Sequence, residues 1–302
     1  MTSKHVNPTQ SISLVLIGML ILSVIDNTVP LVSGDISLWQ FHFMRGVWSL
    51  VLLFGFMWVR NIKLTALRWW AVLVRCGLLS LSMVVYFGAV GVLSVPEAVA
   101  GLFAAPIIVV VITALFLPEP VGWVRWLAAI VGFVGTLLVL SPETEGFSIL
   151  NLIPLIAALF YAMGALATRE LCEGETTISM LFVYVAMMGV IGFFGVLWTT
   201  FVAPGGTGYL DRGWANPSTL TWGVLFVQGI GSQIGVACLI RAYAVGEASY
   251  VAVYEYSMLI FASVVAYIMF GHIIGWYAVL GMALIIGAGI VIAVRSQAAG
   301  EM

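Results

Sequence analysis

VPEAVAGLFAAPIIVVVITALFLPEPVGW, residues 95–123, is the stretch from which the architecture is read. Between Glu97 and Glu119 the chain runs from Ala98 to Leu117 without a charge. That matches the roughly 20 residues a helix needs to cross the hydrocarbon core of a bilayer. The same kind of window, bounded by charge, Pro or Gly, recurs on both sides. The full set is Ile12–Val32, Trp39–Val59, Trp69–Leu93, Ala98–Leu117, Val121–Leu140, Phe147–Thr168, Ile178–Val202, Leu220–Tyr243, Ala248–Phe270 and Ile273–Val294. Connections are short except for Ala203–Thr219, whose Gly, Pro and Asp residues cannot span.

Composition agrees. Of 302 residues 63% are hydrophobic and 8% charged, with a mean hydropathy of +1.16. A soluble domain carries about 25% charged residues to cover its surface. A soluble enzyme is thereby excluded, as is a nucleic-acid binder, since the net charge is −2 and no basic block exists. A β-barrel would show short alternating strands rather than unbroken apolar runs. The expectation is an all-α polytopic membrane protein whose partners are the lipid bilayer and a small-molecule substrate, as a monomer or weak homodimer. Cys76, Cys172 and Cys238 form no paired motif, so neither a disulfide framework nor a zinc site is expected. The first apolar run is too long for a signal-peptide core and reads as a retained span.

Lys4, Arg60, Lys63, Arg68, Arg125, Arg169, Arg241 and Arg295 fall at the termini and in even-numbered connections, against Arg212 alone in the odd ones. The positive-inside rule then places both termini in the cytoplasm of a multi-pass inner-membrane protein. Val95-Pro96-Glu97-Ala98 opens the fourth span and Val245-Gly246-Glu247-Ala248 the ninth. Pro118-Glu119-Pro120-Val121-Gly122-Trp123 precedes the fifth, and Gly271-His272-Ile273-Ile274-Gly275-Trp276 the tenth. Five spans per copy is odd, so the second copy inserts upside down, as in secondary transporters. The predicted organisation is a tail at 1–11, a first repeat at 12–140, an outer connection at 141–146, an inverted second repeat at 147–294 and a tail at 295–302.

Ionisable residues at membrane depth are candidate sites. Glu97 and Glu247 are expected to cap the fourth and ninth spans, and Arg75 to snorkel as an anchor. Asp26 and Arg45 lie at equal depth on consecutive spans, which predicts an ion pair serving as structural clamp or outer gate; His42 lies near the same depth. Glu255 stands near the middle of the ninth span with no basic residue one turn away. It could bind an amine, carry a proton, or stay neutral and hydrogen-bond a neighbour. Gly231-x-x-x-Gly235 predicts a close helix contact, with Gln228 and Gln233 turned into a polar cavity. Tyr161, and Ser82 with Tyr86 on one helix face, complete the set. There is no metalloprotease, nucleophile-elbow or nucleotide-loop motif, so no catalytic residue, metal or cofactor is expected.

Phe116-Leu117-Pro118-Glu119 with Gly122, Pro106 inside the fourth span and Arg45 in the second resemble the drug/metabolite transporter superfamily, EamA type, over essentially the whole chain. The second copy departs from the pattern, with His272 at the acidic position and no proline matching Pro106. The tyrosine-rich ninth span is similar to the YddG-type amino-acid exporters. The resemblance implies a central cavity lined by spans 1, 3, 4, 6, 8 and 9, which carry Asp26, Ser82, Tyr86, Phe103, Tyr161, Gln233, Tyr254 and Glu255. The function expected is export of a small polar metabolite, most simply an amino acid, by alternating access. The alternatives are a carrier of cationic drugs or nucleotide sugars, and a membrane-embedded enzyme or scaffold.

Overall fold

The structure, a computed structural model, describes residues 8–90, 101–117, 121–140, 149–271 and 275–300. Helices α1 (Pro8–Asp26), α2 (Leu38–Val59), α3 (Trp69–Val90), α4 (Ala105–Phe116) and α5 (Trp123–Leu140) lie in the first five windows. The remaining windows hold α6 (Ile153–Glu170), α7 (Thr177–Leu197), α8 (Thr219–Val245), α9 (Ala248–Glu255), α10 (Ser257–Phe270) and α11 (Trp276–Gly300). Among the described residues seven segments are long and apolar enough to cross a membrane, and Ala105–Phe116, Trp123–Val139 and Trp276–Val291 are shorter apolar helices. The chain is thus a helical, multi-pass membrane protein, with no β-strand among the described residues. The cap expected at Glu97, and Glu119 and His272, lie outside the described residues.

Two elements differ from the sequence expectation. Helix α4 starts at Ala105, with Pro106 in its first turn, where the missing N–H has no helical partner to lose. The ninth window is not one helix but two, α9 and α10, interrupted at Tyr256. There the Tyr256 N–H donates to Val253 O at 3.3 Å and the Leu259 N–H to Tyr256 O at 3.1 Å, a tighter spacing than an α-helix makes. No Pro or Gly stands between Ala248 and Phe270, so packing sets the break. The Tyr256 ring is fully buried, stacks on Phe103 with centroids 6.2 Å apart, and lies where a Cβ on Gly132 would come within 2.5 Å.

The principal packing pairs are α1 with α8, α2 with α7, α3 with α6, and α5 with α11. Small residues let the backbones approach. A Cβ on Gly46 of α2 would sit 2.7 Å from Gly189 Cα of α7, and one on Gly135 of α5 would sit 2.7 Å from Gly281 O of α11. Gly18 and Gly235 make the equivalent approach between α1 and α8. Replacing each window by the one five places along leaves this pairing unchanged: second with seventh and fifth with tenth map onto themselves, and first with eighth becomes sixth with third.

The two ends are held in parallel fashion. At the end carrying Arg60 and Arg68, the Glu175 carboxylate accepts the N–H groups of Leu67 (3.0 Å) and Arg68 (2.5 Å), just before α3. At the opposite end the Asp35 carboxylate accepts the Ser218 N–H (3.2 Å) and the Thr221 hydroxyl (2.6 Å), at the start of α8. The side-chain and backbone donors of Ser218 and the Thr221 hydroxyl hold the Asp35 carboxyl below the usual carboxylate range. Each acid sits just ahead of a capped helix: Ser37 accepts the Gln40 N–H at the start of α2, and Thr176 the Ser179 N–H at the start of α7. The 203–218 connection is fastened by Arg212 on Gly34 O (2.5 Å) and by Gln40, which exchanges two hydrogen bonds with Ala215.

Candidate functional site

Glu255 ends α9 at the helix break and is 4% exposed. Its Oε1 accepts the Tyr243 hydroxyl of α8 at 2.8 Å and the Tyr161 hydroxyl of α6 at 3.1 Å. No basic side chain is within ion-pair distance among the described residues. Two phenols on different helices therefore hold one carboxylate oxygen, while no hydrogen bond occupies Oε2 among the described residues. Interrupted helices are where transporters place binding groups, because the chain there can present side chains and unwound backbone together.

Asp26 and Arg45 do not form the expected ion pair. Arg45 reaches His42 Nδ1 at 3.3 Å instead, and its guanidinium lies 5.1 Å from the Phe41 ring centroid. Equal depth on consecutive helices does not fix the faces they turn to each other. Helix α1 is fastened to α10 by Ser23 on Met258 O (3.0 Å) and Asn27 on Ala262 O (3.3 Å), whereas α2 packs on α7 and α8. Asp26 remains exposed at the end of α1, with its charge felt at the half-buried Tyr86.

The other predicted residues divide. Tyr161 is part of the Glu255 cluster, and the half-buried Phe103 stacks on Tyr256 beside it. Ser82 is fully buried and donates to Ala157 O at 2.8 Å, joining α3 to α6. Gln233 donates to Ser49 O of α2, and Gln228 to Ile25 O of α1 at 2.6 Å, so both glutamines tie helices together through their amide nitrogens. The Gly231 and Gly235 contact is present, against Ile25 and Leu22 of α1. Tyr254 turns away from Glu255 and donates to Gly289 O of α11 at 2.8 Å.

Glu247 makes no side-chain cap on α9. Its carboxylate pairs with Arg125 of α5 at 2.7 Å, and Arg125 also donates to Ser249 at 3.1 Å and stacks 4.0 Å above the Tyr250 ring. Arg169 donates to Gly246 O next door. Arg75 does not snorkel: it is 3% exposed, with Nε on the Thr168 hydroxyl at 3.0 Å. Sequence reading thus took Arg75 for a snorkelling anchor and missed Tyr243 and Tyr184, the last a half-buried tyrosine near both Arg45 and Arg75. A tyrosine twelve residues from its partner on another helix carries no motif.

The model of the EamA-like transporter family matches residues 9–141 and 148–294. The S-adenosylmethionine uptake transporter of Rickettsia bellii is 28% identical over 56% of this chain, and the chain spans about half of that relative's length, 54%. The riboflavin transporter of Rhizobium johnstonii is 26% identical over 86% of this chain and 80% of its own. The pseudopaline exporter CntI of Pseudomonas aeruginosa is 26% identical over 79% of this chain and 80% of its own. A crystal structure at 16% identity superposes with a TM-score of 0.78, covering 94% of this chain and 98% of that one, and speaks to the fold alone.

Proposed function

Since the chain belongs to the EamA-like transporter family and is a small-molecule transporter of the inner membrane, not an enzyme, we propose that it carries an amine-bearing metabolite on Glu255 by alternating access. The supporting observation is the buried carboxylate itself, with Oε1 held by Tyr161 and Tyr243 and Oε2 uncommitted. A carboxylate so placed offers a charge-assisted hydrogen bond to an ammonium group. The two phenols keep it oriented when the cargo leaves. Alternating access requires two halves that can exchange conformations, and a helix pairing that is unchanged when every window is shifted by five favours an inverted repeat.

Amino acids are the simplest members of the class, and export to the outside is the direction their disposal requires. S-adenosylmethionine, the cargo named for the Rickettsia relatives, bears an amino group as well. The relatives named above include both an uptake carrier and an exporter, and none is an amino-acid exporter. The proposal is therefore set at the amine-bearing class.

Counterflow in proteoliposomes tests it, with a labelled panel of amino acids, polyamines and S-adenosylmethionine, and with amine-free dicarboxylates as controls. At least one amine-bearing solute exchanges, and Glu255→Gln, which keeps size but loses the charge, lowers its rate about ten- to hundredfold, as loss of a charge-assisted hydrogen bond implies. Exchange of amine-free solutes alone, or a Glu255→Gln protein as fast as the parent, overturns the reading.

A further inference from the structure

Arg75 lies in the seam where α3 meets α6 and α7. Its Nε donates to the Thr168 hydroxyl at 3.0 Å and a terminal nitrogen to Cys76 Sγ at 3.6 Å, while Cys76 itself donates to Met180 O of α7 at 3.2 Å. A hydroxyl and a thiol are its only hydrogen-bond partners among the described residues, and no carboxylate is within ion-pair distance. Arg125 and Arg169, by contrast, each have a glutamate. A guanidinium stays protonated, so Arg75 is a buried cation with neutral partners only, a costly arrangement in a membrane interior. An arriving anion would relieve that cost and gain charge-assisted hydrogen bonds.

Its position relative to Glu255 follows from α6. Thr168 stands seven residues after Tyr161, two helical turns along one face and about 10 Å along the axis. Tyr161 holds the Glu255 carboxylate and Thr168 holds the Arg75 guanidinium. One helix face thus presents an acid at one level and a cation at another, with the Tyr161 and Tyr184 phenols within electrostatic reach of Arg75.

We infer that Arg75 is an anion-binding pole, seating the carboxylate or phosphate-type group of a cargo whose amine rests on Glu255. The inference deepens the carrier reading and rests on it. It narrows the cargo to dipolar metabolites whose cationic and anionic groups are several bonds apart. Simple cationic drugs fall outside the class.

The test uses the full chain in detergent, with glutarate as the anionic probe and its neutral diamide as the control, at constant ionic strength. Glutarate, not the diamide, raises the thermal midpoint of the parent, and Arg75→Gln weakens the response about tenfold or more. Arg75→Lys, which keeps the charge without the planar fork, retains part of it. Phenylglyoxal labelling of Arg75, followed by mass spectrometry, needs no variant: the parent is labelled, and glutarate slows the labelling several-fold. An equal glutarate response in Arg75→Gln overturns the proposal. So does the absence of any response in the parent, or labelling that is absent or indifferent to glutarate. Glu255→Gln keeps the glutarate response while losing amine exchange, so the two readings fail separately.

Discussion

The two ends of the molecule use one device and then diverge. At each end an acid just ahead of a capped helix reaches across to the start of another helix, Glu175 to α3 and Asp35 to α8. Helix N-termini favour carboxylates because their free N–H groups and dipole are positive. In the proposed repeat, α3 and α8 are counterparts, as are the segments carrying Glu175 and Asp35, yet they sit at opposite ends. The end with Glu175 adds a lock that the other lacks among the described residues, the Arg125–Glu247 pair with its Ser249 and Tyr250 contacts. The far end has instead the 203–218 connection fastened over it by neutral hydrogen bonds and Arg212. Symmetry of construction therefore does not mean equal strength of closure.

Three measurements bear on that difference. The largest effect is expected at the extra lock. Arg125→Ala removes an ion pair of 15% and 23% exposed side chains together with a ring contact, and lowers stability by about 2 kcal/mol. A thermal double-mutant cycle with Glu247→Ala retains about 1 kcal/mol of coupling; a coupling of zero would reduce the lock to a coincidence of geometry. Next come the matched acids. Glu175→Gln speeds amide exchange at Leu67 and Arg68 and leaves Ser218 alone, while Asp35→Asn does the reverse. Exchange that changes at both ends in either variant would break the parallel. The smallest effect is with pH. The folded Asp35 carboxyl titrates below its unfolded value of about 4, so its contribution is complete above that value and is lost as pH falls through the lower, folded one. Protection of the Ser218 amide should fall there in the parent and stay flat in Asp35→Asn.

The windows of the helices were legible because burial in lipid imposes a one-dimensional rule: a span such as Ala98–Leu117 carries no charge along its length. What was not legible is lateral. Glu255 stood out as a lone acid, but Tyr243 joins it only through the packing of α8 on α9. The interruption at Tyr256 has no Pro or Gly to announce it and depends on the space left by Gly132. Asp26 and Arg45 share a depth, yet Arg45 reaches His42 and not the aspartate, and the sequence encodes the depth and not the contact. Arg75 was long enough to snorkel in principle; Thr168 on a neighbouring helix turned it inward. Tyr254, Ser82 and Gln233 were polar groups at the right depth that the packing spent on carbonyls of adjoining helices.

The glycine crossings carry a mechanical consequence. Where Gly46 passes Gly189, main chain rests on main chain: the atoms nearest to a Cβ on either glycine belong to the backbone. Ridges and grooves resist rotation because knobs must leave their holes. A bare crossing has none to lift. The Gly46–Gly189 crossing acts as a fulcrum, holding two rods at fixed separation while leaving their angle soft. A single methyl added at Gly46 would turn the fulcrum into a weld, with the site around Glu255 intact and turnover stopped.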